Sequence, residues 1–380
     1  MKTFERLLML WPRIKSGSRL AATCFSRFPS ISDAGFNRRN RAPYKRPGPM
    51  LYRRPGRASL PVILLCLLVL LSACRNSSAG LSRPTGVAVA ADGSLYVMDH
   101  TGHKTSRVVH ITAQGKTMQT FQPANPAPGL VYSGWDMAVG PTGNVYYCNL
   151  ISSDERTVHD GLMAFSSDGK LLPEIGTADY AIGSTGVPAV PYNLDVDSRG
   201  WIYVTDFNYN QLRVFDPQGR LLAKFNAENT AGFHFSGIGD VAVDDRRGLL
   251  YLSDFFTGRL DQYRLSSGAD GAPQLELLHS VGAFGHGPGE FSFPQYLAVD
   301  LVTGTVYVGD MGNRRIQAID AQGNFLGEFA PPVDDWQVLG LAVAGPDSPG
   351  SQTLYAADAL NQVIWAFAPD GQFLRKIEVH

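Results

Sequence analysis

A short strand pattern recurs six times along this chain, and this repetition constrains the fold more than any other feature of the sequence. Each copy consists of an apolar residue, a tyrosine, two further residues and, in five of the six copies, an aspartate. The tyrosines are Tyr96, Tyr146, Tyr203, Tyr251, Tyr307 and Tyr355, with spacings of 50, 57, 48, 56 and 48 residues. A near-constant period of this length is typical of propellers and solenoids.

Each repeat contains four segments with strand character. One apolar, alternating segment precedes the tyrosine strand, and two follow it around a glycine turn, as in Leu212–Phe225. Alternation combined with Asp-Gly or Gln-Gly turns predicts a four-stranded antiparallel meander. Six meanders predict an all-β fold, a six-bladed β-propeller over residues 81–380. The last repeat has all four of its own strands, so we expect packing between the first and last blades to close the ring.

The repeat also carries a family resemblance. The segment Phe284–Phe329 resembles an NHL repeat, and the other five units are looser versions of it. The resemblance covers about residues 81–380. It implies the propeller fold but leaves the activity open, because propellers support many functions.

Charge divides the chain into two unlike parts. Residues 1–73 contain 14 Lys and Arg against 2 Asp and Glu, which leaves 19 basic and 32 acidic residues in 74–380, a net charge of −13. In the basic part, three arginines precede the apolar run Leu60–Leu71, an order typical of a signal peptide. Leu60–Ala73 has 14 residues, whereas a membrane-spanning helix needs about 20.

The end of this run, Leu71–Cys74, resembles the lipobox of bacterial lipoproteins. The resemblance implies that residues 50–73 are the signal peptide, that Cys74 is lipidated, and that residues 74–80 are a short linker. Because residue 75 is Arg and not Asp, it also implies the outer membrane, with the protein facing the periplasm. A plain secretory signal and an uncleaved anchor are the alternatives. Residues 1–49 are then either a start codon placed too early, ahead of Met50, or a basic disordered extension.

Antiparallel connectivity places the start of each first strand and the end of each second strand on one rim, which we name the channel-mouth face. Long connections on this face are rich in aromatic residues, which predicts a binding surface for a protein or a carbohydrate. The predicted residues are Trp135, Phe207, Tyr209, Phe255, Phe256, Tyr296 and Trp336. The alternative is that several of these rings wedge between neighbouring blades.

Three consecutive blades begin their first strand with an oxygen-bearing side chain, namely Asp136, Asn193 and Asp240. Such ligands suit Ca²⁺ or Mg²⁺. The arrangement resembles the metal site of the gluconolactonase/regucalcin family, which implies that the three residues are metal ligands and that Asp240 is a candidate general base for lactone hydrolysis. That family also supplies a glutamate from its first blade, whereas the corresponding segment Arg83–Gly86 contains none.

Other candidate residues are weaker. Some NHL-like propellers are peptide-amidating lyases that hold a metal with histidines from separate blades, and His234 and His286 lie in linkers on the channel-mouth face. The alternative is that both are ordinary loop histidines. The aspartate that ends the second strand recurs in five blades, and repetition of this kind favours a structural role, with the carboxylate accepting backbone N–H groups.

These observations favour a monomeric binding or scaffold lipoprotein, tethered through Cys74, that holds a protein or carbohydrate partner in the periplasm or at the cell surface. The alternative hypothesis is a divalent-metal-dependent lactone or ester hydrolase working at Asp136, Asn193 and Asp240. A nucleic-acid partner is disfavoured because the folded part of the chain is acidic.

Overall fold

The computed structural model describes residues 80–101, 106–122, 130–153, 157–173, 175 and 190–380. All of them belong to the larger of two compact units, Ser59–His380. The predictions for residues 1–79, which include Met50, the signal peptide and Cys74, lie outside the described residues. Within the described part of the chain, no helix combines the length and the apolar character needed to cross a membrane.

The strands form six antiparallel sheets, one for each repeat, and each strand pairs with the next along the chain. Blade 1 contains β1 (Pro84–Val89), β2 (Leu95–His100), β3 (Ser106–Ile111) and β4 (Thr117–Phe121). Blade 2 contains β5 (Leu130–Val139), β6 (Val145–Ser153) and β7 (Thr157–Phe165). Blade 3 contains β8 (Pro191–Val196), β9 (Ile202–Asp206), β10 (Gln211–Phe215) and β11 (Leu221–Phe225). Blade 4 contains β12 (Ile238–Asp244), β13 (Leu249–Asp254), β14 (Arg259–Ser267) and β15 (Pro273–Val281). Blade 5 contains β16 (Pro294–Val299), β17 (Val306–Asp310), β18 (Arg315–Ile319) and β19 (Phe325–Phe329), and blade 6 contains β20 (Val338–Val343), β21 (Leu354–Asp358), β22 (Val363–Phe367) and β23 (Phe373–Ile377).

Blade 2 departs from the common pattern in two ways. Among its described residues, the fourth edge consists of two isolated bridges, from Leu171 to Phe165 and from Ile175 to Leu162. Its β5 has ten residues where β1 has six, and the additional pairing, from Leu130 opposite Ser153, continues on the channel-mouth side. The all-β, six-bladed prediction is confirmed.

Glycine turns connect successive strands on the face opposite the channel mouth. Gly219 and Gly323 connect the third and fourth strands of blades 3 and 5 with φ of 83° and 84°. This region of φ is costly for residues with a Cβ atom, which explains why these hairpins end in Gln-Gly.

The first and last blades pack against each other, and in the described part of the chain all four strands of the last blade come from its own repeat. The innermost strands β1 and β20 lie side by side. They approach so closely that a Cβ atom on Gly340 would lie 2.9 Å from the Cα atom of Gly86. Glycine at both positions therefore permits the contact between the first and last blades.

The repeated tyrosines form the core between blades. Tyr355 of blade 6 packs with Val87 and Leu95 of blade 1, and Tyr307 of blade 5 packs with Trp365 and neighbouring residues of blade 6. Both tyrosine side chains are at most 1% exposed. Each ring thus fills the space between two sheets, which fixes the spacing of neighbouring blades.

Candidate functional site

The recurring aspartates have a structural role in the described blades. Each is fully buried and accepts a backbone N–H from the segment that precedes the first strand of its own blade, so it ties the start of the blade to the end of the second strand. These aspartates are Asp99, Asp206, Asp254, Asp310 and Asp358. Blade 2 has Asn149 instead, and neither amide atom of its side chain has a hydrogen-bond partner among the described residues.

The central channel holds a group of three carboxylates, Asp136, Asp195 and Asp240. The innermost strand of each blade has an edge without a neighbouring strand, so its N–H groups need other acceptors. Asp136 Oδ2 accepts the N–H of Leu194 at 3.1 Å, and Asp240 Oδ2 accepts the N–H of Leu297 at 2.7 Å. Each carboxylate therefore connects its own blade to the next blade in the ring.

Asp195 makes the same type of contact between blades 3 and 4. Its Oδ2 accepts the N–H of Val243 at 2.8 Å, and its Oδ1 accepts the N–H of Val196 at 2.7 Å. Sequence reasoning missed this residue, although a signal was present. At this register the other five blades carry alanine, namely Ala88, Ala138, Ala242, Ala298 and Ala342.

Asn193 connects blades that are not neighbours. Its Nδ2 donates to the carbonyl oxygen of Gln295 in blade 5 at 3.0 Å, and the Gln295 amide in turn contacts the hydroxyl of Tyr192. The Thr205 hydroxyl donates to the carbonyl oxygen of Gly239, in the neighbouring blade 4, at 2.8 Å. Polar side chains of blades 3 and 5 thus meet across the channel at its mouth.

Burial and mutual repulsion shape the titration of the three carboxyls. Burial raises the pKa of Asp136 to about 7 and is only partly offset by the hydrogen bonds from Leu194 and Met137. Burial likewise raises the pKa of Asp195 to about 7, and the neighbouring charge of Asp136 adds to the effect. The pKa of Asp240 is raised well above its ordinary value by burial first and by the charge of Asp136 second.

A cavity of about 620 Å³ opens along the channel, and its lining includes the three carboxylates and at least one valine from every blade. The valines are Val87, Val89, Val139, Val196, Val241, Val243, Val299 and Val343. Among the described residues, no three His, Cys, Asp or Glu side chains are placed to hold a metal ion. The carboxylate oxygens of Asp136 and Asp240 already accept backbone N–H groups. These oxygens therefore do not form a preformed cation site. The metal hypothesis stays a prediction.

An arc of aromatic rings runs along the channel-mouth face, and it is the second notable feature of this region. Successive rings contact one another with centroids 4.9–6.5 Å apart. We name this set the aromatic arc, and in order it contains His100, Trp135, Tyr192, Phe207, Phe256, Phe255, Phe293 and Phe284. It extends from the end of β2 in blade 1 to the segment that precedes β16 in blade 5.

The predicted face residues divide between this arc and the core. Four of them, Trp135, Phe207, Phe255 and Phe256, belong to the arc. Tyr209 lies in the same turn as Phe207 and is 37% exposed. Tyr296 and Trp336 are 4% and 3% exposed and pack in the core between blades 5 and 6, which is the alternative that the sequence left open.

Four members of the arc, His100, Tyr192, Phe293 and Phe284, were not predicted from the sequence. Phe293 adopts a left-handed backbone conformation with φ of 57°, which is unfavourable for a bulky residue. Backbone strain of this kind is concentrated at functional sites. The conformation places the Phe293 ring between Phe255 and Phe284, at centroid distances of 4.9 and 5.8 Å.

The two linker histidines do not meet in one site. Nδ1 of His286 lies 2.5 Å from the side-chain oxygen of Asn313, and His234 is exposed beside the start of blade 4. Neither belongs to a group of potential metal ligands in the described part of the chain.

Comparisons with known proteins support the fold. No protein-family model matches the chain. A gluconolactonase from Xanthomonas campestris superposes with a TM-score of 0.51 at 16% identity, over 74% of this chain and 84% of that one. A streptogramin B lyase does so with a TM-score of 0.50 at 13% identity, over 80% and 86% of the two chains. A structural-genomics protein of unknown function from Bacteroides thetaiotaomicron superposes with a TM-score of 0.50 at 15% identity, over 77% of this chain and 72% of that one.

At these identities the similarity is one of fold. The chain is a six-bladed β-propeller, and the predicted distant similarity to gluconolactonase propellers is confirmed at that level. The assignment to NHL repeats remains a prediction.

Proposed function

We propose that this protein is a binding or scaffold protein of the cell envelope that holds a carbohydrate or protein partner on its channel-mouth face. The aromatic arc is the observation that carries this proposal. Six of its eight rings are partly exposed, and Phe284 is 54% exposed. Partly exposed rings in a connected group are typical of recognition surfaces.

One buried ring of the arc packs against two of its partly exposed rings. Phe255 is only 4% exposed and contacts both Phe256 and Phe293. A buried ring under exposed rings holds them in place before a partner arrives, which lowers the entropy lost on binding.

The experiment replaces Trp135, Phe207 and Phe284 together by alanine in the full-length protein. Solubilised cell envelope is passed over the immobilised wild type and the variant, and the retained proteins and sugars are both measured. We expect the variant to retain less than about a tenth of the partner, because each truncated aromatic contact costs on the order of 1 kcal/mol. The variant should keep the thermal stability of the wild type, and equal recovery by the two proteins would contradict the proposal.

A lipid tether at Cys74 is the second part of the proposal. It is supported by the lipobox-like segment Leu71–Cys74 and by the short apolar run before it. Several acyl chains anchor a protein stably, since each buried methylene contributes about 0.8 kcal/mol. The acidic propeller would then be held at the outer membrane, facing the periplasm, as a monomer.

The tether is tested with the Cys74→Ala variant. Wild-type protein is expected to incorporate labelled palmitate and to sediment with membranes, whereas the variant is expected to lose the label and to enter the soluble fraction. Membrane retention of the variant, or a wild type that takes up no label, would refute the tether and leave the binding proposal unaffected.

The hydrolase alternative has less support from the geometry. Raised pKa values are common among catalytic carboxyls. However, Asp136 and Asp240 each accept a backbone N–H from the next blade, which is sufficient to explain their presence in the channel.

A further inference from the structure

The aromatic arc is elongated, which distinguishes it from a compact hydrophobic patch. Its rings follow the channel mouth through five consecutive blades, from His100 in blade 1 to Phe293 at the start of blade 5. The contacts from Trp135 to Tyr192, from Tyr192 to Phe207 and from Phe207 to Phe256 have centroid distances of 6.5, 5.2 and 6.3 Å. The surface is therefore a continuous, curved series of rings around the channel mouth.

From this geometry we infer that the aromatic arc binds an uncharged saccharide chain. The inference rests on the proposed binding function and names the chemical class of the partner. A pyranose ring presents C–H groups on its faces and hydroxyl groups around its edge. Its faces therefore stack on aromatic rings, and a chain of such sugars matches a series of rings better than a globular protein surface does.

Polar groups beside the rings suit the sugar hydroxyls. The Tyr192 hydroxyl lies in the middle of the arc and contacts the amide of Gln295, a residue that is 6% exposed. Asn208 follows Phe207 in the same turn. Sites for small polar ligands combine aromatic walls with a few uncharged hydrogen-bonding groups in this way.

Charge separates neutral saccharides from acidic chains. Residues 74–380 carry a net charge of −13. Binding of a polyanion requires a basic surface to replace its counterions. An acidic polysaccharide is therefore disfavoured, whereas a neutral one meets no such penalty.

The test measures binding of defined oligosaccharides to the purified full-length protein by calorimetry and by tryptophan fluorescence, for which Trp135 is a reporter within the arc. The neutral probes are hexamers of glucose, xylose, mannose and N-acetylglucosamine, and a galacturonic acid hexamer is the acidic probe. We expect at least one neutral hexamer to bind, and Trp135→Ala or Phe207→Ala to weaken it roughly 3- to 10-fold, the range of one aromatic contact. Phe325→Ala removes an exposed ring on β19, outside the arc, and is the matched control that should bind as the wild type does.

The outcomes separate this inference from the proposed function. If no neutral hexamer binds, or if the acidic probe binds as tightly, or if the arc variants bind as the wild type does, the saccharide inference is wrong. If the envelope experiment then yields a protein whose retention depends on the arc, the proposed binding function stands with a protein partner. If retention is also independent of the arc, both proposals fail.

Discussion

Replacement of Asp206 by alanine is expected to lower the free energy of unfolding by about 3–5 kcal/mol. Asp206 is fully buried, and its Oδ2 accepts Arg213 Nη2 at 2.8 Å, where the Arg213 side chain is only 4% exposed. Its Oδ1 accepts the N–H of Val190, which holds the start of blade 3. Removal of the carboxylate takes away one counter-charge of the buried Arg213 guanidinium and the acceptor of the Val190 N–H.

The measurement is urea unfolding of the wild type and the variant at pH 7. The matched control is Glu276→Ala, which breaks the surface ion pair with Arg264. The side chains of Arg264 and Glu276 are 60% and 70% exposed. The control is expected to cost less than about 1 kcal/mol because exposed pairs contribute little. Similar losses in the two variants would show that Asp206 does not hold blade 3 as described.

The second large effect is a loss of stability between about pH 4 and pH 7 that originates in the channel carboxyls. The pKa of Asp136 and of Asp195 is raised by burial to about 7, from an ordinary 3.8. In this pH range the native state therefore binds more protons than the unfolded state, so the free energy of unfolding falls as pH rises. The stabilisation is fully present below pH 3.8 and is lost as pH approaches 7; for Asp136 alone it is at most on the order of 4 kcal/mol.

The variants Asp136→Asn and Asp240→Asn mimic the protonated carboxyl and test this directly. Each is expected to unfold at higher urea than the wild type at pH 7.5, with a smaller difference at pH 4.5. The exposed substitution Glu276→Gln is the control and should keep the wild-type pH profile. An unchanged pH dependence in both channel variants would show that these groups are solvated and ionised in the native protein.

The same unfolding experiments examine the metal-dependent hydrolase hypothesis. They are repeated with Ca²⁺ and with Mg²⁺. A cation-dependent rise in stability that Asp240→Asn abolishes would favour that hypothesis, because a ligand that binds the native state stabilises it by mass action. No change with either ion would remove its main motivation.

Much of the candidate site was accessible from the sequence because the repeat assigns every residue a register. Asp136, Asn193 and Asp240 were placed at the channel from their position at the start of the first strand. Asp195, two residues after Asn193, lies on the same side of β8 and was recognisable as the one aspartate among five alanines. Its contact with Val243 could not be recognised from the sequence, because that contact crosses to another blade.

The aromatic residues show the limit of sequence reasoning more clearly. Phe207 and Trp336 both lie in connections on the channel-mouth face, yet one is partly exposed in the arc and the other is buried against blades 5 and 6. Trp336 donates its Nε1–H to the carbonyl oxygen of Arg314 in the neighbouring blade at 2.7 Å. Whether a loop aromatic faces solvent or a neighbouring sheet depends on that sheet, which local sequence does not describe.

The sequence by itself determined the strand pattern, the number of blades and the glycine turns, because hydrophobic alternation and backbone conformation are local properties. Only the tertiary structure decided which rings join the aromatic arc and how the channel carboxylates connect one blade to the next. Both depend on contacts between residues such as His100 and Trp135, or Asp240 and Leu297, which lie far apart in the chain and meet only when the propeller closes.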